Sequence, residues 1–316
     1  MSVSLQEGLY GLCKMRMDSD ADYPGPRPER VDDAAFDAYR LWQLQKTVRR
    51  VRENSPFYRR LFERAGVTEA DILSLADIAK LPFTFPADLS GTSYSLLCTS
   101  QSEVEKPVTF YSSGSTGTKK RIYFSMADIQ KILDFLPRGM NTVIDRDEAR
   151  VLVFLQNSQG RGIGSILAKS LGVNVWFGDA ITIYRATKIL AQEHDLRSLG
   201  MQCIFITMSN IPQSMIDYLH CAWGCRVSTH YGLTESGWGL AVDCDTCPGY
   251  HYDELDHIVE VVDPETGGPV PEGREGEVVL TNISRDCMPL IRYRTGDIAT
   301  LTRSVCGSHL MTLGHI

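Results

Sequence analysis

The chain has 316 residues, of which 43% are hydrophobic and 22% charged, with a net charge of −7. That is the composition of a globular protein long enough for two or so folding units. Its acidic balance argues against nucleic acid as a main partner, since phosphate-backbone affinity needs clustered lysine and arginine. No run approaches the about 18 apolar residues that cross a bilayer, and the opening residues lack the charged-then-apolar order of a secretory signal. Nine cysteines, an odd number, argue against a complete disulfide framework. The expectation is a cytoplasmic chain with neither membrane nor nucleic acid as partner.

Residues 1–32 are polar, rich in Pro and Asp, and read as an irregular surface segment. From Asp33 the rhythm becomes helical: Leu41, Leu44, Val48 and Val51 recur at three- and four-residue intervals, with Trp42 beside that stripe. A second helix covers Phe57 to Ala65 and is closed by Gly66. The two prolines of "LPFTFPADL" (Leu81–Leu89) break any helix there. Beyond them, "VTFY" and "IYFS" read as strands around a Gly/Ser loop, while "RVLVFLQ" and "CIFITM" read as strands buried on both faces. "GIGSILAKSLG" and "RATKILAQEH" look helical between them. Strands alternating with helices predict an α/β fold with mostly parallel sheets over residues 33–248. Residues 249–316, with a turn-rich Pro/Gly segment between extended runs, predict a small β-rich subdomain.

Three segments carry chemistry. The first, "YSSGSTGTKKR" (Tyr111–Arg121), offers small hydroxyls and glycines that let backbone N–H groups crowd around phosphate oxygens, followed by Lys119, Lys120 and Arg121 as counter-charge. A flexible Gly/Ser hairpin with solvated lysines is the other reading of this loop. It is not a Walker loop, because Gly114 and Gly117 lie too close and no Ser or Thr follows Lys120. The second, "HYGLTES" (His230–Ser236), follows the predicted strand "CRVSTH". The third, "YRTGD" (Tyr293–Asp297), supplies an acidic side chain within extended chain. Either of these two could be an ordinary turn if read by itself.

A fourth feature is the spacing "CDTCPGYH", two cysteines followed by a histidine, with a further cysteine in "VCG". Cys244, Cys247, His251 and Cys306 match the four S/N ligands of a closed structural zinc site. Unlinked thiols with a surface histidine are the alternative, and Cys287 is a weaker candidate ligand.

Together, and in this order, the three segments resemble the signatures of the AMP-forming acyl-adenylate and acyl-CoA synthetase superfamily. "SPFYRRLFERAGV", "LPFTFPADL", "IVEVVDPETGGPVPEGREGEVVLT" and "MPLIRYRTGD" resemble its phenylacetate–CoA ligase branch, from about Asp33 onward. The resemblance implies a large adenylate-forming domain with two mostly parallel sheets flanked by helices, plus the β-rich subdomain. It further implies ATP-dependent activation of a small or aromatic carboxylic acid to acyl-AMP and then acyl-CoA. Ser112, Ser113, Gly114, Ser115, Thr116, Gly117 and Lys120 match the phosphate loop in register, with Lys119 where that pattern has proline.

By the same resemblance, Tyr231 and Gly232 lie at the adenine, Thr234 at the α-phosphate, Glu235 at Mg²⁺ and Asp297 at the ribose hydroxyls. Lys120, Thr234 and Glu235 are the implied catalytic set. The cofactors implied are ATP/AMP, Mg²⁺ and coenzyme A, with the zinc ion as a structural addition that relatives in the branch also carry in a similar arrangement. Ser304 stands at the first position of their later cysteine pair. One departure falls at the adenine segment, which reads Thr207-Met208-Ser209. The acyl pocket is expected from Phe154–Gly164 and Gly237-Trp238. The chain stops near the family's hinge into a C-terminal domain that brings a lysine, so full turnover by these residues alone is expected to be impaired. Two other functions stay open: a non-catalytic nucleotide-binding protein, and an adenylating enzyme with an acceptor other than CoA. A homodimer is also left open.

Overall fold

In the computed structural model, residues 4–90, 93–111, 119–141, 150–154, 173–207, 211–237 and 239–314 are described. The loop residues Ser112, Ser113, Gly114, Ser115, Thr116 and Gly117 lie outside that set, as do "GIGSILAKSLG", Met208, Ser209, Trp238 and most of the expected acyl-pocket stretch.

Helix α1 (Leu5–Ser19) corrects the expectation of an irregular amino-terminal segment. Ser4 caps it in a reciprocal pair with Glu7, and Leu5, Leu9, Leu12, Cys13 and Met17 point inward. Prolines and aspartates cluster from its last turn onward, beginning at Asp18, and they dilute the apolar rhythm of residues 1–32 taken as a whole. Helix α2 (Asp33–Asn54) starts on Asp32, whose carboxylate accepts from Ala35 N, and buries Phe36, Tyr39, Leu44, Val48 and Val51. Helix α3 (Pro56–Ala65) has Ser55 as cap, proline in its first turn and Gly66 at φ 66° as its stop.

Strands β1 (Lys106–Tyr111) and β2 (Lys119–Phe124) form an antiparallel pair, and β2 leads into α4 (Met126–Asn141). The main sheet follows, with β3 (Val151–Phe154), β4 (Val175–Asp179), β5 (Cys203–Thr207) and β6 (Arg226–Tyr231) all parallel. Helices α5 (Ala180–Leu190) and α6 (Gln213–Trp223) supply the crossovers after β4 and β5. Antiparallel strands extend the sheet from β6 through β7 (Ala241–Asp243) and β8 (Gly249–Tyr252).

Period-two alternation decides what covers this sheet. Ile204 and Ile206 of β5 pack with Ile183, Leu190, Leu219 and Trp223 of α5 and α6. Cys203 and Phe205 face the other way, into a cluster with Leu9, Phe36, Tyr39 and Phe135. Helix α1 is therefore part of the layer that closes the second face, and docking there costs less than leaving that apolar surface wet.

Strands β9 (His257–Val262), β10 (Gly276–Asn282) and β11 (Tyr293–Ala299) make a three-stranded antiparallel sheet. Strands β12 (Leu301–Arg303) and β13 (Met311–Gly314) return to pair with β8. The α/β class is as expected, with one refinement. Among the described strands, parallel strand pairs are those of β3–β6, and part of the carboxy-terminal β-rich stretch belongs to the main sheet. Among the described residues no helix is long and apolar enough to cross a membrane.

Candidate functional site

Lys120 sits at the start of β2, 8% exposed, where the hairpin pairs it with Phe110. Its Nζ donates to Tyr293 Oη at 3.0 Å, and Tyr293 Oη donates in turn to Glu235 Oε1 at 2.7 Å. The lysine nitrogen lies 3.7 Å from the same carboxylate oxygen. Motif residues 173 positions apart in sequence thus form one buried relay of charge-assisted hydrogen bonds.

Glu235 belongs to a tight 3-10 turn, Thr234–Ser236, that follows β6 and ends at Gly237 with φ 93°. Its backbone carbonyl accepts from Asn282 Nδ2 at 3.3 Å and Arg285 Nη1 at 2.8 Å. The turn is therefore clamped from the β9–β11 side. Thr234 and Gly232 stay half-buried at its entrance. At the end of β6, Tyr231 Oη donates to Asp297 Oδ2 at 2.7 Å. Burial and then the charge of Asp297 push the Tyr231 phenol upward; burial and then Glu235 do the same to Tyr293. Both remain protonated donors at neutral pH.

Arg292 orients Tyr293. It is the non-glycine residue with positive φ among the described residues, at 46°, a strained conformation. It persists because the guanidinium is held on both edges. Nε and Nη2 pair with Glu260 at 3.0 and 2.8 Å, Nη1 donates to the carbonyls of Ala79 and Leu81, and the plane stacks on Phe83 at 4.0 Å.

The structure therefore brings Lys120, Tyr231, Glu235 and Asp297 into one place, with Thr234 and Gly232 on the connecting turn. Tyr293, the hub, was not singled out from the sequence, although its place at the head of the third motif could have marked it. Thr207 ends β5 as a buried residue, at the edge of the expected adenine segment.

Some 60 residues of chain fold back to make the second cluster: Cys244, Cys247, His251 and Cys306 have their ligand atoms within 4.8 Å of one another. His251 lies in β8, and Cys306 in the turn between β12 and β13, with Cys306 Sγ 3.3 Å from His251 Nε2. His251 Nδ1 donates to Met311 O at 3.1 Å, which leaves Nε2 as the ring's lone-pair nitrogen. Burial works against the Cys247 thiolate, but hydrogen bonds from Thr312 and the Cys306 and Val305 backbone outweigh it and bring the thiol down to about 6. Cys287 stays apart, fully buried in another cluster. Ser304 Oγ approaches His251 Nδ1 at 3.3 Å, so it supports the ring.

No family model matches the chain. A phenylacetate–coenzyme A ligase of Thermus thermophilus is 28% identical over 313 residues, 89% of this chain and 69% of the relative. Those of Aromatoleum evansii and Pseudomonas putida are each 28% identical, over 86% and 91% of this chain and 69% and 72% of theirs. Among solved structures, 2-hydroxyisobutyryl-CoA ligase, in complex with 2-HIB-AMP and CoA, superposes with a TM-score of 0.78. The two complexes are 21% and 23% identical and cover 93% of this chain, with 79% and 72% of theirs covered, so the likeness establishes the fold. With Lys120, Glu235 and Asp297 of the three motifs brought to one site, the chain is similar over most of its length to phenylacetate–CoA ligases.

Proposed function

We infer that the chain activates a small or aromatic carboxylic acid with ATP and passes the acyl group to coenzyme A. The observation that carries this reading is the buried Lys120–Tyr293–Glu235 relay beside the Tyr231–Asp297 pair. A carboxylate oxygen of the acid attacks the α-phosphorus of ATP, and the bond to pyrophosphate breaks. The CoA thiolate then attacks the acyl carbon and AMP departs. Because the first nucleophile is already an anion, the protein's task is positioning and charge stabilisation.

Lys120, at the foot of the phosphate loop, balances charge on the departing pyrophosphate. Thr234 donates to the α-phosphate, and Asp297 accepts from the ribose hydroxyls while Tyr231 flanks the base. Glu235 is the residue to hold Mg²⁺. A hard carboxylate oxygen suits that ion, whose remaining positions phosphate and water oxygens would fill. Bound there, it would supply charge neutralisation at the phosphates.

Zinc is the ion we assign to the cysteine corner. Three thiols and one imidazole nitrogen within 4.8 Å of one another suit a tetrahedron with bonds of about 2.0–2.3 Å. Four protein ligands leave no open position, so its part is structural.

ATP–pyrophosphate exchange across a panel of acids tests the adenylation step, and thioester formation tests the acceptor. Exchange without thioester would favour an acceptor other than CoA. Nucleotide binding without exchange for any acid would leave a binding protein and sink the enzymatic reading.

A further inference from the structure

The segments "SPFYRRLFERAGV" and "LPFTFPADL" supply no residue to the reaction, yet both converge on the backbone around Tyr293. Thr84, fully buried in the second, brackets that backbone: Thr84 N donates to Arg292 O at 3.0 Å, and Arg294 N donates to Thr84 O at 2.9 Å. Strand β10 holds the other edge by pairing Leu280 with Tyr293. Thr84 Oγ1 gives its proton to Ile291 O at 2.6 Å, so Tyr58 Oη of α3 is the donor to Thr84 Oγ1 at 2.9 Å. Tyr58 Oη in turn accepts from Ile291 N at 2.9 Å. With the strained Arg292 clamped on Glu260, the backbone from Ile291 to Arg294 is fixed by three separate elements.

What that fixing sets is the place of one hydroxyl. Tyr293 is 1% exposed, and its Oη stands 3.0 Å from Lys120 Nζ and 2.7 Å from Glu235 Oε1. An ammonium only donates and a carboxylate only accepts, so the single phenol proton goes to Glu235 and a lone pair faces Lys120. Lys120 Nζ and Glu235 Oε1 stay 3.7 Å apart, beyond hydrogen-bond length. Opposite charges buried at that separation attract strongly. Direct contact would occupy the carboxylate oxygen and the ammonium proton that a metal and a phosphate need. The wedged hydroxyl gives both groups a neutral partner and keeps the gap open.

We propose that Tyr293 is a positioning residue for adenylation: its hydroxyl keeps Lys120 from closing onto Glu235, so that the carboxylate stays available to Mg²⁺ and the ammonium to the phosphates. The inference rests on the acid-activating function above. Tyr58 and Thr84 are the means by which the hydroxyl is placed. Without it the lysine closes onto the carboxylate, and the metal must compete with a buried cation. Asp297, which Tyr231 holds, is untouched by that collapse.

The test is calorimetric titration of the whole chain with AMP and with the Mg²⁺ complex of α,β-methylene-ATP, which cannot be cleaved at the reacting bond. Tyr293→Phe keeps the ring and should weaken the Mg²⁺ complex about tenfold or more, as loss of a charge-assisted hydrogen bond does, while AMP stays within about twofold. Lys120→Met removes the competing cation, so Lys120→Met/Tyr293→Phe should bind the Mg²⁺ complex within about twofold of Lys120→Met alone. A merely structural role for Tyr293 would lower both affinities, or give losses that add across the pair, and either result overturns the proposal. Unchanged affinity for the Mg²⁺ complex in Tyr293→Phe also overturns it, with the function above intact. Wild type that binds neither nucleotide sinks that function as well. Should Tyr293→Phe fail to fold, Thr84→Val carries the test: the Mg²⁺ complex should bind about threefold more weakly with AMP unchanged, and wild-type affinity for both ligands overturns the proposal.

Discussion

The Lys120–Glu235 corner and the cysteine corner are both assembled from residues far apart in sequence, yet they hold their shape differently. At the first, the side chains satisfy one another: Lys120 to Tyr293, Tyr293 to Glu235, Tyr231 to Asp297, and Asn282 and Arg285 to the turn carbonyl. At the second, three thiols and an imidazole crowd within 4.8 Å with weak sulfur hydrogen bonds between them, and Cys306 is exposed. A hydrogen-bonded site is organised before its ligand arrives, whereas a thiol cluster depends on an ion to offset the repulsion of its thiolates. The contrast predicts that loss of metal acts on stability and loss of a relay residue acts on chemistry.

The largest effect expected is on metal removal. Chelation of the purified protein should release close to one zinc per chain and lower stability by about 5 kcal/mol, a fall in melting temperature of roughly 10–20 °C. Less than ~0.2 zinc per chain before chelation would end the assignment. Next, Lys120→Met should slow pyrophosphate exchange by on the order of 10²–10³, as loss of one positioned charge at a reacting phosphate does. Zinc content should not change in that variant, and an equal loss of metal would collapse the distinction between the two corners.

An acid effect ranks third. Burial holds the His257 imidazole down to about 4, against an ordinary value near 6.5. A depressed histidine contributes nothing adverse above the unfolded value, and its protonation in the unfolded chain destabilises the fold as pH falls from about 6.5 towards 4. That amounts to about 3 kcal/mol in total. The groups facing it are Asp253, Asp256 and Arg285. Asp253, whose carboxyl is raised, acts in the opposite direction. The measurement is accordingly a difference: wild type should lose stability relative to His257→Phe between pH 7 and 4.5, and parallel curves would refute it. The smallest effect is Asp297→Ala, which should weaken AMP binding by about 1.5–3 kcal/mol, roughly ten- to a hundredfold. Unchanged affinity by calorimetry would remove Asp297 from the ribose.

What the sequence determined by itself was local or repetitive in nature. The stripe from Leu44 to Val51 and the Gly66 stop were readable because amphipathic spacing and helix-stop chemistry act within a few residues. Lys120, Tyr231, Glu235 and Asp297 as candidates for one site, and Cys244, Cys247, His251 and Cys306 for another, were readable because the chemistry proposed for each demands those side chains, and the structure brings each set together. Tertiary structure alone decided the rest. Helix α1 was missed because its apolar face acquires meaning only against the second face of the main sheet, where Phe205 and Phe135 await it. Tyr293 became the hub because β11 delivers its hydroxyl between Lys120 and Glu235, a distance no spacing encodes. His257 and Arg285 carry no motif. Their roles arise because burial removes water from one nitrogen and one guanidinium, and burial is a property of the whole packed chain.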